Sequence, residues 1–205
     1  GPAREPKEKI TNRHQDIAAG AQYAIEKAIL HAANNLHQRT REENLCLAGG
    51  VALNCVANGK ILTQTPFKNI FVQPAANDAG LSIGAALYYH YRMNPESKRY
   101  RMENAYLGNG YTDQRVKQAL ENKSVKYTEY ENVFPVATQY LADKKIIAWF
   151  NGRFEFGPRA LGNRSILTAP FPAEMKDILN TRVKQRESFR PFAPVVLEEK
   201  CGEYF

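Results

Sequence analysis

Apolar positions in the first half of the chain alternate between helical spacing and short unbroken runs. Residues 16–37 place apolar side chains three or four positions apart, which predicts an amphipathic helix. The runs at 45–48 and 67–72 are too short for helices and predict buried strands. Helical spacing returns over 51–62 and 78–91. This order of helices and strands is typical of the α/β class.

A polar stretch at 92–104 separates this pattern from a second one and predicts a linker. Beyond it, the apolar pattern predicts helices over 112–121, 133–143 and 172–183 and strands over 145–150, 165–169 and 192–197. Thr112 precedes the first of these helices and is predicted to be its N-cap. We interpret the chain as two α/β domains, residues 1–98 and 99–205.

Composition and charge exclude several classes of protein. Of 205 residues, 43% are hydrophobic and 24% are charged, which excludes a disordered chain, a collagen-like chain and a disulfide scaffold. The longest apolar stretch, 79–89, contains Ser82 and Gly84 and is too short to span a membrane. The 28 basic and 21 acidic residues leave a net charge of +7, which permits a nucleic-acid partner without requiring one.

The three cysteines, Cys46, Cys55 and Cys201, are odd in number and form no CxxC motif. This pattern favours free thiols in a reducing compartment over a disulfide framework. We therefore predict reduced, mostly buried cysteines in a cytoplasmic protein, because free cysteine is among the most buried residue types.

A glycine pair follows the first predicted strand. Gly49 and Gly50 stand between that strand and a helix, where backbone N–H groups can hold a phosphate. Asn54 and Asn58 lie four residues apart, hence on one face of the helix, and could bind a ribose or a phosphate. The alternative interpretation is a tight, well-packed turn.

Asp78 occupies the corresponding place after the second predicted strand, within PAANDAGLSIGAAL. One interpretation is a helix N-cap. The other is a carboxylate directed at a metal ion held by nucleotide phosphates. Both roles are compatible, because the carboxyl end of a strand faces the crevice where α/β proteins bind ligands.

Residues 151–190 are rich in cations. Eight basic side chains stand against four acidic ones there, a local charge of +4. The basic residues are Arg153, Arg159, Arg164, Lys176, Arg182, Lys184, Arg186 and Arg190. Many lie in loops beside proline and glycine, where fixed cations suit phosphate and carboxylate oxygens. A solvated basic surface is the alternative, and the interleaved phenylalanines also fit a nucleic-acid interface.

Four segments carry a resemblance to a known family. LAGGVALNCVANGKIL and VQPAANDAGLSIGAAL, followed by GRFEFGPRALGNRS and VKQRESFRPFAP, resemble ATP-dependent O-carbamoyltransferases of the NodU/CmcH type. The resemblance implies that the first half is the C-terminal part of an actin-like ATPase domain, similar to proteins that transfer threonylcarbamoyl to tRNA. It implies that the second half is part of a YrdC-like α/β domain.

The resemblance also implies roles for individual residues. In the family the Gly-Gly segment contacts the nucleotide, which implicates Gly49, Gly50 and Asn54 in binding ATP. The aspartate of the DAG motif is a metal ligand, which assigns Asp78 to a divalent metal, iron or magnesium. Cationic and hydroxyl side chains of the second domain hold the anionic substrates and are implied to be catalytic: Lys184, Arg190, Arg159, Arg164 and Ser165.

The implied reaction has two steps. The YrdC-like domain would form carbamoyl adenylate from carbamoyl phosphate and ATP, and the first domain would pass the carbamoyl group to a small hydroxyl-bearing acceptor. The family also uses a histidine pair spaced HxxxH, whereas no two of the four histidines here are four apart: His14, His31, His37 and His90. We therefore expect an internal fragment with an incomplete metal site, inactive or weakly active by itself.

Two alternatives remain open. One is a nucleotide-binding relative that acts on tRNA, and the other is a basic binding module without catalysis. The favoured prediction is a cytoplasmic carbamoyltransferase without a membrane or nucleic-acid partner, and it leaves a homo-oligomer open. It requires Lys184 and Arg190 to converge on one pocket for small polyanions.

Overall fold

A computed structural model of the chain describes residues 1–5 and 8–204. These residues form two compact units. The first unit holds Gly1–Ala105 and Phe156–Arg159, and the second holds Tyr106–Glu155 and the residues from Ala160 onward. Both combine helices with paired strands, which confirms the α/β class. The domains 1–98 and 99–205 stay a prediction, because compactness alone does not make a segment an independent folding unit.

The first unit is built around a parallel pair of strands. Its strands are β1 (Asn44–Leu47) and β2 (Asn69–Val72), and its helices are α1 (Asn12–Thr40), α2 (Cys55–Gln64) and α3 (Leu81–Met93). β1 pairs in parallel with β2, with Leu45 opposite Ile70, and α2 forms the crossover between them. Short 3₁₀ turns, Gly50–Leu53 and Asp78–Gly80, precede α2 and α3.

A small apolar core joins α1 and α2 to the strands. Ala33 of α1, Leu45 of β1, Ile61 of α2 and Phe67 form one buried cluster. Burying a side chain such as that of Ile61 or Phe67 contributes about 1.5–3 kcal/mol. These contacts therefore fix the sheet edge on which the glycine pair and Asp78 lie.

The helices of the first unit differ from the prediction at their ends. α1 is longer than the predicted 16–37, and the predicted helix over 51–62 is interrupted at Asn54, which caps α2. The interruption leaves Gly50–Leu53 as a separate turn. Although α1 has 29 residues, no helix in the described part of the chain is apolar enough to cross a membrane.

The second unit contains an antiparallel strand pair. Its strands are β3 (Ile147–Phe150) and β4 (Arg164–Leu167), and its helices are α4 (Asp113–Asn122), α5 (Phe134–Ala142), α6 (Met175–Ile178) and α7 (Cys201–Tyr204). Trp149 lies opposite Ser165 in the hairpin. The predicted N-cap of α4 is confirmed, because the Thr112 hydroxyl accepts a hydrogen bond from the Arg115 N–H at 3.4 Å. α6 continues as a single π-helical turn, Leu179–Val183.

The strand predicted over 192–197 is wrong. These residues pair with no strand in the described part of the chain and lead into a 3₁₀ turn, Glu198–Lys200. Pro194 lies within the segment and has no N–H to donate, and Pro191 directly precedes it, so a strand here would lack a ladder hydrogen bond at its centre. The apolar run is real, but proline removes the backbone donors that a strand needs.

The prediction of mostly buried cysteines is also wrong. Cys46, Cys55 and Cys201 are free, and all three are exposed. Cys46 lies on β1 opposite Phe71, itself exposed, on the side of the strand pair away from the core. Successive strand residues point to opposite faces, so only Leu45 and Leu47 face the helices.

An ion pair links α1 to α2 next to the core. The Glu26 carboxylate is 5% exposed and accepts hydrogen bonds from Lys60 Nζ and from Gln22 Nε2, the latter at 2.7 Å. These bonds, from Lys60 first and then Gln22, hold the pKa of Glu26 below its ordinary value. The carboxylate therefore stays ionised inside the helix–helix contact.

Replacing Lys60 by methionine is expected to lower the Tm by several degrees, because the buried carboxylate of Glu26 loses its cation. Lys68→Met is the matched control, since Lys68 and Glu43 form an exposed pair, and its Tm should stay within about one degree of wild type. Thermal unfolding followed by circular dichroism measures both. An equal decrease in Tm in the two variants would contradict the prediction that the buried Lys60–Glu26 pair stabilises the fold more than the exposed Lys68–Glu43 pair.

Candidate functional site

The carboxyl ends of β1 and β2 meet at one edge of the first unit. The Gly49 N–H donates a hydrogen bond to the Ala76 carbonyl at 2.7 Å, which ties the loop after β1 to the loop after β2. Gly49 has φ +98°, a conformation that favours glycine. Apart from the adjacent residues in the chain, a Cβ at Gly49 or Gly50 would meet no atom of the described residues within 4 Å. The glycine pair therefore leaves open space at this edge, into which a ligand could approach the backbone.

Asn54 and Asn58 hold the turn that follows the glycine pair. Asn54 Oδ1 accepts from the Ala57 N–H at 3.1 Å, and its Nδ2 donates to Gln22 Oε1 at 2.9 Å. Asn58 Nδ2 donates to the Ala52 carbonyl at 2.7 Å. Both amides thus orient the backbone around Gly50–Leu53. The nucleotide contact of Asn54 stays a prediction.

Asp78 lies at the same edge, two residues after Ala76. Its side chain is exposed, and it begins the turn Asp78–Gly80. The N-cap position belongs to Asn77, so the capping interpretation of Asp78 is wrong. The neighbouring Asn77 Oδ1 is buried and has no hydrogen-bond partner in the part of the chain that the structure describes.

A resident metal is not supported by the donor set at this edge. Among residues 1–5 and 8–204, no three His, Cys, Asp or Glu side chains come together in a group that could hold a metal ion. A divalent ion needs several oxygen or nitrogen ligands, and Asp78 supplies one carboxylate. The described residues alone therefore do not fit a metal, and the role of Asp78 as a ligand stays a prediction.

Part of the GPRALGNRS motif lies in the first unit, next to the segment that follows β2. The Phe156 N–H donates to the Ala105 carbonyl at 2.7 Å. Gly157 has φ +127°, and a Cβ there would lie 2.6 Å from the Pro74 carbonyl oxygen. Only glycine fits this approach. Arg159 therefore belongs to the same unit as Asp78, and its exposed guanidinium makes no hydrogen bond or ion pair within the described residues.

Arg164 is built into the hairpin loop of the second unit. Its guanidinium carbon lies 3.6 Å from the ring centroid of Phe150 and 4.1 Å from that of Phe154. The guanidinium also donates to the backbone carbonyls of Asn151, Asn163 at 3.0 Å and Gly152 at 2.9 Å. Arg164 Nε is buried and has no hydrogen-bond partner among residues 1–5 and 8–204. These bonds make Arg164 an organiser of the loop, and its implied catalytic role stays a prediction.

Glu155 organises the same loop from its centre. One carboxylate oxygen, Oε1, accepts backbone N–H bonds from Leu161 at 2.9 Å, Asn163 at 2.7 Å and Arg164 at 3.0 Å. Ser165 adds to the turn, because its Oγ accepts from the Gly162 N–H at 3.0 Å. Burial alone would raise the pKa of Glu155, but these N–H donors hold it below its ordinary value.

Lys184 and Arg190 lie at the two ends of one loop. The Lys184 N–H donates to the Leu179 carbonyl at 2.9 Å, and the Arg190 carbonyl accepts from Asn180 Nδ2 at 2.9 Å. The structure therefore brings both backbones against neighbouring residues of a single turn. Arg190 Nε also donates to Glu187 Oε2 at 2.8 Å, an exposed pair. The substrate roles of Lys184 and Arg190 stay predictions.

Glu155 and Asn180 are the residues that sequence reasoning missed. In the sequence, Glu155 was only one of the acidic residues among the cations of residues 151–190, and Asn180 was one position in the helix predicted over 172–183. One available signal was an acid within a loop of Gly, Pro and Arg, where free backbone N–H groups need an acceptor. Nothing comparable marks Asn180, whose role depends on a π-helical turn.

Glu155→Gln is expected to lower the Tm at neutral pH, because the N–H groups of the loop lose a charged acceptor. A carboxyl whose folded pKa is depressed stabilises the fold above its unfolded pKa, and this contribution disappears as the pH falls through the folded value. The Tm difference between wild type and Glu155→Gln should therefore be largest near pH 7 and shrink below about pH 4.3.

The matched control for this titration is Glu174→Gln, which removes an exposed carboxylate of the same unit. Its Tm difference should be close to zero throughout. A Tm difference between wild type and Glu155→Gln that does not change with pH would contradict the prediction that the ionised carboxylate of Glu155 stabilises the loop. Calorimetric scans from pH 3 to pH 8 provide the measurement.

Comparison with known proteins identifies two family regions in order along the chain. The family described as Carbamoyltransferase N-terminus matches residues 3–87, and the one described as Carbamoyltransferase C-terminus matches residues 138–205. The first contains β1, β2 and the glycine pair, and the second contains the hairpin and the loop of Lys184 and Arg190.

Relatives match over most of the chain. It is 44% identical over 199 residues to nodulation protein NolNO of Sinorhizobium fredii, covering 96% of this chain and 29% of that protein. It is 42% identical over 199 residues to nodulation protein NolO of Bradyrhizobium diazoefficiens, covering 96% of this chain and 36% of that protein. It is 34% identical over 167 residues to 3'-hydroxymethylcephem-O-carbamoyltransferase of Streptomyces clavuligerus, covering 78% of this chain and 29% of that protein.

The chain thus spans about a third of the length of these relatives, with shares of 29–36%. Two family regions in the expected order, together with identities of 34–44% to nodulation proteins and a named carbamoyltransferase, confirm the resemblance carried by the motifs. The chain belongs to the carbamoyltransferase family of enzymes.

Proposed function

We propose that this chain is part of an O-carbamoyltransferase that uses carbamoyl phosphate and ATP to carbamoylate the hydroxyl group of a small acceptor. In this proposal the first unit belongs to an actin-like domain, and the second unit belongs to a YrdC-like domain. The name of the Streptomyces relative, 3'-hydroxymethylcephem-O-carbamoyltransferase, supports a hydroxyl acceptor.

The observation that carries the proposal is the anchored loop of Lys184 and Arg190. Carbamoyl phosphate and ATP are both polyanions, and bringing them together is opposed by Coulomb repulsion that grows in a partly dry site. Two cations on one anchored loop can offset this repulsion. Because the loop backbone is already fixed, little ordering entropy remains to be lost when the substrate binds.

The glycine edge of the first unit would contribute in a different way. The open space beside Gly49 and Gly50 admits a nucleotide phosphate close to backbone N–H groups. Arg159 lies in the same unit and supplies a cation that has no ion-pair partner among the described residues. A divalent metal would need ligands other than Asp78, so no step is assigned to one.

In the full-length enzyme, Lys184→Ala and Arg190→Ala are each expected to raise the KM for carbamoyl phosphate by tenfold or more, because each removes a cation from the substrate site. The measurement is phosphate release from carbamoyl phosphate in the presence of ATP and acceptor. Lys176→Ala is the matched control, since it removes an exposed cation of the same unit, and its KM should stay at the wild-type value.

The same assay separates the alternatives. A wild-type enzyme that neither releases phosphate from carbamoyl phosphate nor is thermally stabilised by it would contradict the proposal. Tight tRNA binding with a steep salt dependence, without any effect of carbamoyl phosphate, would instead identify a tRNA-acting relative.

A further inference from the structure

Asn180 is a fully buried polar side chain whose hydrogen bonds all go to the following loop. It is 0% exposed. Its Nδ2 donates to the Ser188 carbonyl at 3.2 Å and to the Arg190 carbonyl at 2.9 Å. Its Oδ1 accepts from Arg186 Nε at 2.7 Å. A buried amide that loses such partners is costly, so the side chain and the loop fix each other.

The backbone of the same turn holds the beginning of the loop. The Lys184 N–H donates to the Leu179 carbonyl at 2.9 Å, and the Arg186 N–H donates to the Asn180 carbonyl at 2.9 Å. Between them, Gln185 has φ +47°, the left-handed conformation that non-glycine residues rarely adopt. The loop therefore turns sharply at Gln185 and returns to the Asn180 side chain.

The turn Leu179–Val183 is π-helical, a rare geometry that is frequent at functional sites. Arg186 completes the arrangement, because its guanidinium also donates to the Pro191 carbonyl at 3.3 Å and lies 4.8 Å from the ring centroid of Phe192. The buried amide of Asn180 thus holds the main chain at Ser188 and Arg190 directly, and Pro191 through Arg186.

We propose that Asn180 is the positioning residue of the carbamoyl phosphate site: its side chain holds the Arg190 end of the loop against the turn from which Lys184 departs. This inference rests on the proposed function. Asn180 is 0% exposed and cannot touch a substrate, so its effect passes through the placement of the loop, and of Arg190 in particular. A shift of about 1 Å in such a group can lower catalytic efficiency by about a hundredfold.

The test uses Asn180→Ala and Asn180→Asp in the full-length enzyme. Asn180→Ala removes all three side-chain bonds. Asn180→Asp keeps an acceptor for Arg186 but cannot donate to the carbonyls of Ser188 and Arg190. Both variants are expected to raise the KM for carbamoyl phosphate by tenfold or more, with a smaller change in kcat. The KM for the hydroxyl acceptor should stay near wild type.

Met175→Ala is the matched control for stability. Met175 is 6% exposed and lies in α6, and it makes no side-chain hydrogen bond to the loop within the described residues. It should lower the Tm by core truncation while leaving the KM for carbamoyl phosphate unchanged. If the Asn180 variants do not fold, Arg186→Met removes the opposite end of the Arg186–Asn180 bond and should raise the same KM by a smaller factor.

The outcomes are distinguishable. A wild-type enzyme that uses carbamoyl phosphate, with Asn180 variants whose KM matches that of Met175→Ala, overturns the positioning role and leaves the proposed function standing. A wild-type enzyme that does not use carbamoyl phosphate overturns both. A KM increase in the Asn180 variants that Met175→Ala does not reproduce establishes the role.

Discussion

Backbone groups outside helices and strands need hydrogen-bond partners, and in this chain side chains provide them at the loops of the candidate site. Glu155 accepts from three N–H groups, Arg164 donates to three carbonyls, and Asn180 donates to two. Unpaired backbone groups in partly buried loops cost about as much as lost hydrogen bonds. These side-chain hydrogen bonds keep the loops ordered. The placement of the cations that the loops carry therefore depends on them.

Charged side chains consequently divide into two kinds. The side chains of Arg164 and Glu155 form hydrogen bonds with the backbone of their own loop. The side chains of Lys184 and Arg159 form no hydrogen bond or ion pair within the described residues. The first kind shapes the loops, and the second remains available to a ligand. A count of cations along residues 151–190 cannot separate the two kinds, because both have the same sequence signature.

Much of the fold could be predicted from local pattern. The short apolar runs that became β1 and β2 and the capping residue Thr112 are determined by neighbouring residues, and the structure confirms them. The two failures have different causes. The strand expected over 192–197 is interrupted by proline, which is a local cause, whereas Cys46 is exposed because helices cover the strand pair on one side only.

The candidate site shows the same division. The glycine pair and Asp78 follow β1 and β2 and lie at a common edge, because parallel strands end on the same side of a sheet. The sequence also located the loop of Lys184 and Arg190, but not the buried amide that anchors it. Arg159 illustrates the limit most clearly: its motif lies with the second half of the sequence, yet its side chain belongs to the first unit.

The docking of Phe156–Arg159 on the first unit has a practical consequence for anyone who wishes to isolate that unit. Cutting the chain after Ala105 would remove the donor to the Ala105 carbonyl and uncover the Pro74 carbonyl beneath Gly157. An autonomous version would need a discontinuous design in which residues 156–159 are grafted back through an artificial connection.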